Sequence, residues 1–304
     1  MVVERDVLNI DTRLSSLTEL GLDREALETV HLILRGNSVI DWNRSNFRSL
    51  EDVDRFLRLH LLDPNDPEDQ RRIRFVYGES VNYLAEHLGL NFPDELKDPE
   101  DVRDVFRMAS EIGGFRRRQI QACVILKLMH VINHLEAAEL KHQTPLSEAD
   151  LLDLAERRIV ASADQMRREG VPLVAFYGSR KTRNSVITKL LAKKENTAVT
   201  IFDKLRFRIV TEEKEHVLPA MYWLTKNLFP FNYVIPGQSH NNLVDFRRVL
   251  EQANAGGMGG LFQAGQEAGD MTPEDNPFSG SSYRMANFIV DFPVRVDHLV
   301  NVRY

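Results

Sequence analysis

The chain has 304 residues, 43% hydrophobic and 28% charged, with 16 glycines, 12 prolines and one cysteine. Those proportions describe a folded protein of one large or two ordinary domains and exclude a disordered or low-complexity chain. A formal charge of −6 argues against a general nucleic-acid binder, which is normally basic. The single cysteine, Cys123, permits no intramolecular disulfide and fits a reducing compartment.

From the N-terminus the first 170 residues read as helix after helix. MVVERDVLNID carries charges where a signal peptide needs an apolar stretch, so the expected location is the cytoplasm. Asp23 is placed to cap a helix running to Arg35, and Gly36 stands where it stops. Ser49 caps a segment with Val53, Phe56, Leu57 and Leu61 on one stripe. Pro67 opens a helix that runs to Gly89, and Pro99 opens another that Gly113 and Gly114 break. Phe115 to His142 reads as a long, mostly apolar helix at the centre of the helical region, and Ser147 caps one ending near Gly170. The longest apolar run, Ala122 to Ile132, is interrupted by Lys127 and His130, so no membrane span is expected. His130 and His134 are four apart on one face. With no third ligand at a useful spacing, core packing is the better reading than a metal site.

The texture changes after Gly170, and a domain boundary is expected near residue 165, with a second domain over 166–304. VPLVAFYG reads as a strand, Ser179 to Lys194 as a helix, and RFRIVT as a second strand. Val217, Met221, Leu224 and Leu228 mark a helix that ends before Pro230. Ala253 to Gly280, rich in Gly, Ala and Gln, reads as a mobile loop, and Tyr283 to Val294 as a third strand. The expected fold class is therefore α+β: an all-helical N-terminal region, then a mixed β-sheet flanked by helices.

Three segments carry candidate chemistry. In the first, Ser179 to Lys194 holds six cations and no acid, and Lys181, Ser185 and Lys189 are spaced to share one helix face. A strand leading into such a helix can present N–H groups and cations to a polyphosphate. In the second, Asp203 precedes a strand on which Arg206 and Arg208 face one side, a sensible place for Mg²⁺ with bound phosphates. In the third, Tyr283, Met285, Asn287 and Ile289 share a strand face, with Tyr283 available for stacking on a base.

In order and spacing these three segments resemble the synthetase domain of the RelA/SpoT nucleotidyltransferase family, over roughly residues 170 to 294. The match runs through Lys181, Ser185 and Lys189, through Asp203 and Arg208, and through Tyr283 and Asp291-Phe292-Pro293-Val294, with Ile235-Pro236-Gly237 as the connecting turn. The resemblance implies a nucleotidyltransferase-like sheet and transfer of pyrophosphate from ATP to the 3′-hydroxyl of GDP or GTP, giving (p)ppGpp. It implies that Lys181, Lys189 and Arg208 neutralise ATP phosphates, that Ser185 hydrogen-bonds one, and that Asp203 holds Mg²⁺. Tyr283 and Asn287 would then meet the guanine nucleotide, with Arg180, Arg183 and Arg206 as further phosphate contacts.

Departures from the family pattern set the alternatives. Ser179 stands where the family has Arg, which leaves Arg180 or Arg183 as the replacement, and Asn287 stands where it has His. The family's downstream Glu-x-Gln strand has no counterpart after Pro293, and the N-terminal region lacks the His-Asp pair of the family's hydrolase domain, so no (p)ppGpp hydrolysis is expected. Three alternatives are a catalytically inactive nucleotide-binding regulator, pyrophosphorylation of another nucleotide or a tRNA end, and an interaction protein. Arg116 to Arg118 form a small basic patch, but the overall charge disfavours RNA as partner.

Overall fold

The computed structural model describes residues 22–34, 47–111, 116–192, 204–244, 249 and 284–296. In chain order these form α1 (Arg24–Leu34), α2 (Leu50–Leu59), α3 (Pro67–Leu88), α4 (Asp94–Lys97), α5 (Arg103–Ser110), α6 (Arg116–Gln143), α7 (Glu148–Arg168), β1 (Leu173–Arg180), α8 (Arg183–Ala192), β2 (Leu205–Thr211), α9 (Val217–Asn227), β3 (His240–Asn241) and β4 (Ala286–Asn287). The protein is thus mixed α+β and mostly helical, with small antiparallel sheets. None of the described helices is long and apolar enough to cross a membrane.

Local rules explain most boundaries. Asp23 accepts from the Ala26 amide at 2.9 Å and starts α1. Ser49 and Asp52 form a reciprocal capping box at α2. The Asp66 carboxylate accepts from the amides of Glu68 and Asp69, Pro67 fills the first turn of α3, and Gly89 closes it at φ +63°. Ser147 and Asp150 cap α7 in the same reciprocal way.

Three sequence expectations are corrected. The helix assigned to start at Pro99 starts at Arg103. The carbonyls of Pro99 and Glu100 accept from Arg74 instead, and the Asp101 carboxylate takes the Arg103 amide at 2.9 Å. The long helix α6 is not wholly central: Ala122, Ile125 and Leu126 are buried, while Ile120, Val131 and Leu135 are exposed. The third strand shrinks to Ala286–Asn287 with an isolated bridge from Val290 to Val234. Among the described residues it pairs with His240–Asn241 and not with β1 or β2. Its surroundings supply the rest of its bonds: Ile235 donates to the Ile289 carbonyl at 2.8 Å and Asp291 to that of Tyr233 at 2.9 Å. The mixed sheet expected from the sequence is, where described, two antiparallel pairs. The segment 253–280 lies outside the described residues.

The chain divides into two compact units, one of Met1–Val39 with Leu152–Phe292 and one of Ile40–Leu151 with Pro293–Tyr304. This division differs from the boundary expected near residue 165, because α1 and most of α7 belong with the sheets.

In the first unit α1 packs on α9, and Leu22, Leu27, Ile33 and Leu218 are fully buried. Each such side chain contributes about 2 kcal/mol through removal from water. Arg158 of α7 is drawn into this unit. It donates to the Leu228 carbonyl at 2.9 Å and lies over the Phe292 ring, and burial lowers its pKa from the usual guanidinium value. Trp223 donates its indole N–H to Glu169 at 2.6 Å.

In the second unit α6 lies on α3 and α5, and Phe47, Phe56 and Phe106 meet edge-on or tilted with centroids 5.1 to 6.1 Å apart. Asp69, nearly buried, is satisfied by the Asp63 amide at 2.7 Å and by Arg295 at 2.8 Å.

Candidate functional site

The antiparallel pair of β1 and β2 is the frame of the site. Its register sets Phe176 opposite Ile209, Tyr177 opposite Arg208, Gly178 opposite Phe207, Ser179 opposite Arg206 and Arg180 opposite Leu205. Because side chains alternate along a strand, the two faces have different chemistry. One carries Phe176, Gly178, Leu205, Phe207 and Ile209. Phe176 and Phe207 lie with ring centroids 5.6 Å apart. Gly178 leaves room for the Phe207 ring, since a Cβ there would fall 2.7 Å from the ring edge.

The other face carries Tyr177, Ser179, Arg206 and Arg208, all exposed. The ladder continues one step past the strand ends, where the Lys181 amide donates to the Lys204 carbonyl at 3.0 Å. Alternation brings Lys181 and Lys204 onto this same face. Four cations thus line it, and no residue of the face itself is acidic. Arg208 donates to the Tyr177 hydroxyl at 3.3 Å, and its guanidinium carbon lies 5.6 Å from the centre of that ring. Such a face attracts polyanions, and an aromatic ring with a guanidinium beside it can take a planar base.

Several of the sequence-derived candidates are placed elsewhere. Lys181 does not share a helix face with Ser185 and Lys189. Helix α8 begins only at Arg183, because pairing with β2 holds the backbone extended through Arg180. Thr182 caps that helix. Its hydroxyl oxygen accepts from the Ser185 amide at 3.3 Å and lies 3.0 Å from the Ser185 hydroxyl, so Ser185 is engaged at the first turn. Arg180 is on the opposite face of the strand, paired with Asp153 and Glu156 of α7. Its hydrogen bond to Asp153, ahead of the Coulomb attraction of both acids, raises its pKa above the ordinary guanidinium value. Arg180, one of the two replacements expected at Ser179, is thus engaged by two acids of α7. Arg183 and Lys189 belong to α8, but their side chains lie outside the description. Asp203 and Tyr283 also lie outside the described residues. Asn287 is exposed on β4 in the other sheet.

Two members of the cationic face, Tyr177 and Lys204, were not singled out from the sequence. Alternation along AFYGSRK already sets Tyr177, Ser179 and Lys181 on one side, and that signal could have found the tyrosine. Alternation along KLRFR likewise sets Lys204 beside Arg206 and Arg208.

His130 and His134 meet with ring centroids 4.3 Å apart. No group of three or more metal-ligating side chains stands together among the described residues.

No family model, no curated protein and no solved structure matches the chain.

Proposed function

We propose that the exposed face of β1 and β2 grips the phosphates of a nucleoside triphosphate, and that the protein transfers pyrophosphate from ATP to the 3′-hydroxyl of GDP or GTP. The single observation that carries this reading is the clustering of Lys181, Lys204, Arg206 and Arg208 beside Tyr177 on one sheet face. The chain's segments also resemble the RelA/SpoT synthetases in motif order, which gives the reaction its direction and its acceptor.

The chemistry asks for little from the protein beyond position and charge. In phosphoryl-type transfer the leaving oxygens gather negative charge, and fixed cations in a site of lowered dielectric stabilise it. Arg208 is held by Tyr177, so its fork is oriented before substrate arrives. Arg206 and Lys181 add charge along the same ladder. Mg²⁺ normally binds through one or two carboxylates together with substrate phosphates. The resemblance to the RelA/SpoT synthetases gives that role to Asp203, adjacent in sequence to Lys204. When bound, Mg²⁺ would supply positive charge that offsets the charge of the donor phosphates. Tyr283 and Asn287 remain the proposed contacts to the guanine nucleotide.

The test is direct. Full-length protein is incubated with Mg²⁺, γ-labelled ATP and GDP or GTP, and the products are resolved. The reading expects labelled (p)ppGpp, a loss of several orders of magnitude in Asp203→Ala, and a loss of tenfold or more in Arg208→Ala.

A second reading, a nucleotide-binding regulator without transferase activity, is favoured by one observation. Arg180 is consumed by Asp153 and Glu156, so nothing on its strand restores the cation missing at Ser179. ATP binding that depends on Arg206 and Arg208, with no product at any enzyme concentration, selects this reading.

A further inference from the structure

We infer that α6 is the self-association surface of this protein, through an antiparallel pairing of α6 with the same helix of a second copy. The inference is independent of the nucleotide reading.

Helix α6 is apolar on two opposite sides, which a helix at the rim of a lone unit has no reason to be. On one side Ala122, Ile125 and Leu126 are buried, where α6 lies on α3 and α5. On the other, Ile120 is 50% exposed, Val131 40% and Leu135 60%, with half-buried Val124 between them. At 100° per residue these four positions fall within an arc of roughly 60°. Lys127 flanks the middle of this arc, and the apolar positions on either side of it mark a contact surface.

The sequence along the stripe says what covers it. About a two-fold axis between Lys127 and Leu128, an antiparallel copy sets Ile120 against Leu135 and Val124 against Val131. The same axis sets Arg116 against Glu139, near the two ends of the contact. Both of these charged residues are exposed. Their neighbours are already used within the unit, Arg118 by Glu95 and Glu136 by Arg72. Because the surface complements itself under a two-fold rotation, the contact is isologous and closes at two copies. Lys127 sits beside the axis. Its stem can cover apolar surface while its ammonium reaches water, but two such charges near one axis repel, so association is modest.

Sedimentation velocity or light scattering on full-length protein across roughly two decades of concentration around the micromolar range tests this. The expected result is a reversible monomer–dimer equilibrium. Val131→Glu with Leu135→Glu should leave only monomer with an unchanged far-UV spectrum, and Lys127→Leu should tighten the dimer. Arg116→Glu or Glu139→Arg alone should weaken it about threefold to tenfold, since each change disturbs two symmetry-related exposed pairs. The double reversal should restore it. That last comparison stands even where the glutamate pair in the stripe harms folding. A monomer at every concentration overturns the inference, whatever other protein the face then binds. So does a dimer indifferent to Val131 and Leu135, or a double reversal weaker than either single one.

Discussion

Tyr177 and Arg208 face each other across β1 and β2, with the guanidinium donating to the phenol oxygen at 3.3 Å and lying beside its ring. Neither side chain is buried, so the pairing orders the arginine without neutralising it. Tyr177→Ala is therefore expected to weaken MgATP binding about tenfold, through loss of the ring and of the order it gives Arg208. Tyr177→Phe keeps the ring and loses one long hydrogen bond, and should stay within about threefold of the parent. Isothermal titration of the three proteins with MgATP checks this. Equal losses in the two variants would mean that the hydroxyl, and not the ring, is what matters.

Arg206 and Arg180 differ by one register position in the ladder and by which way they point. Arg206 is opposite Ser179 on the exposed face, while Arg180 is paired with Asp153 and Glu156 on the other. Arg206→Ala should lower affinity for tripolyphosphate about tenfold and flatten its salt dependence. Arg180→Ala should leave both within about twofold, because that charge is already answered by α7. Titrations at two ionic strengths decide it, and a larger loss from Arg180 than from Arg206 would reverse the assignment of the faces.

Gly178 is required by its cross-strand partner. A Cβ at this position would lie 2.7 Å from the Phe207 ring, which packs at 5.6 Å from Phe176. Gly178→Ala must push the ring aside and is expected to destabilise the first unit by about 1–2 kcal/mol. Adding Phe207→Leu should recover part of that loss, because the smaller side chain no longer meets the new methyl group. Chemical denaturation followed by Trp223 fluorescence, in a Trp42→Phe background, reads the difference. Additive losses in the double variant would rule out this contact as the cause.

Local signals were legible in the sequence wherever one side chain decides a boundary. Asp23, Ser49 and Ser147 start helices as their types and positions suggest, Pro67 opens one, and Gly89 ends it. Long-range choices were not. Nothing in PEDVR says that Arg74, some 25 residues earlier, takes the carbonyls of Pro99 and Glu100 and delays α5. The spacing of Lys181, Ser185 and Lys189 fits a helix face, but pairing with β2 keeps Lys181 on the sheet. Nor does local pattern show that 285–291 would bond to 233–242 and leave β1 and β2 alone among the described strands. At the candidate site, alternation correctly set Arg206 and Arg208 together. The pairing of Arg180 depended on two acids of α7 that no motif indicates.

Tyr77 offers a prediction with a defined pH sign. Its hydroxyl donates to the Leu96 carbonyl at 2.5 Å, and Leu96 itself is fully buried. Tyr77→Phe leaves that carbonyl without this donor and should destabilise the second unit by about 1–2 kcal/mol near neutral pH. Burial first, and the negative charge of Asp98 second, raise the pKa of Tyr77 well above the ordinary phenol value. In the unfolded chain the group ionises near pH ~10. Below that pH the neutral phenol is present in both states and its contribution is complete. As pH rises past the unfolded value, only the unfolded chain releases its proton, and the advantage over Tyr77→Phe shrinks by up to about 1.4 kcal/mol per pH unit until the folded group ionises too. Urea denaturation of both proteins at pH 8 and pH 11 measures the gap. The parent should lead at pH 8 and lose that lead at pH 11. A gap that stays constant would show that the phenol titrates alike in both states and is not held neutral by its burial.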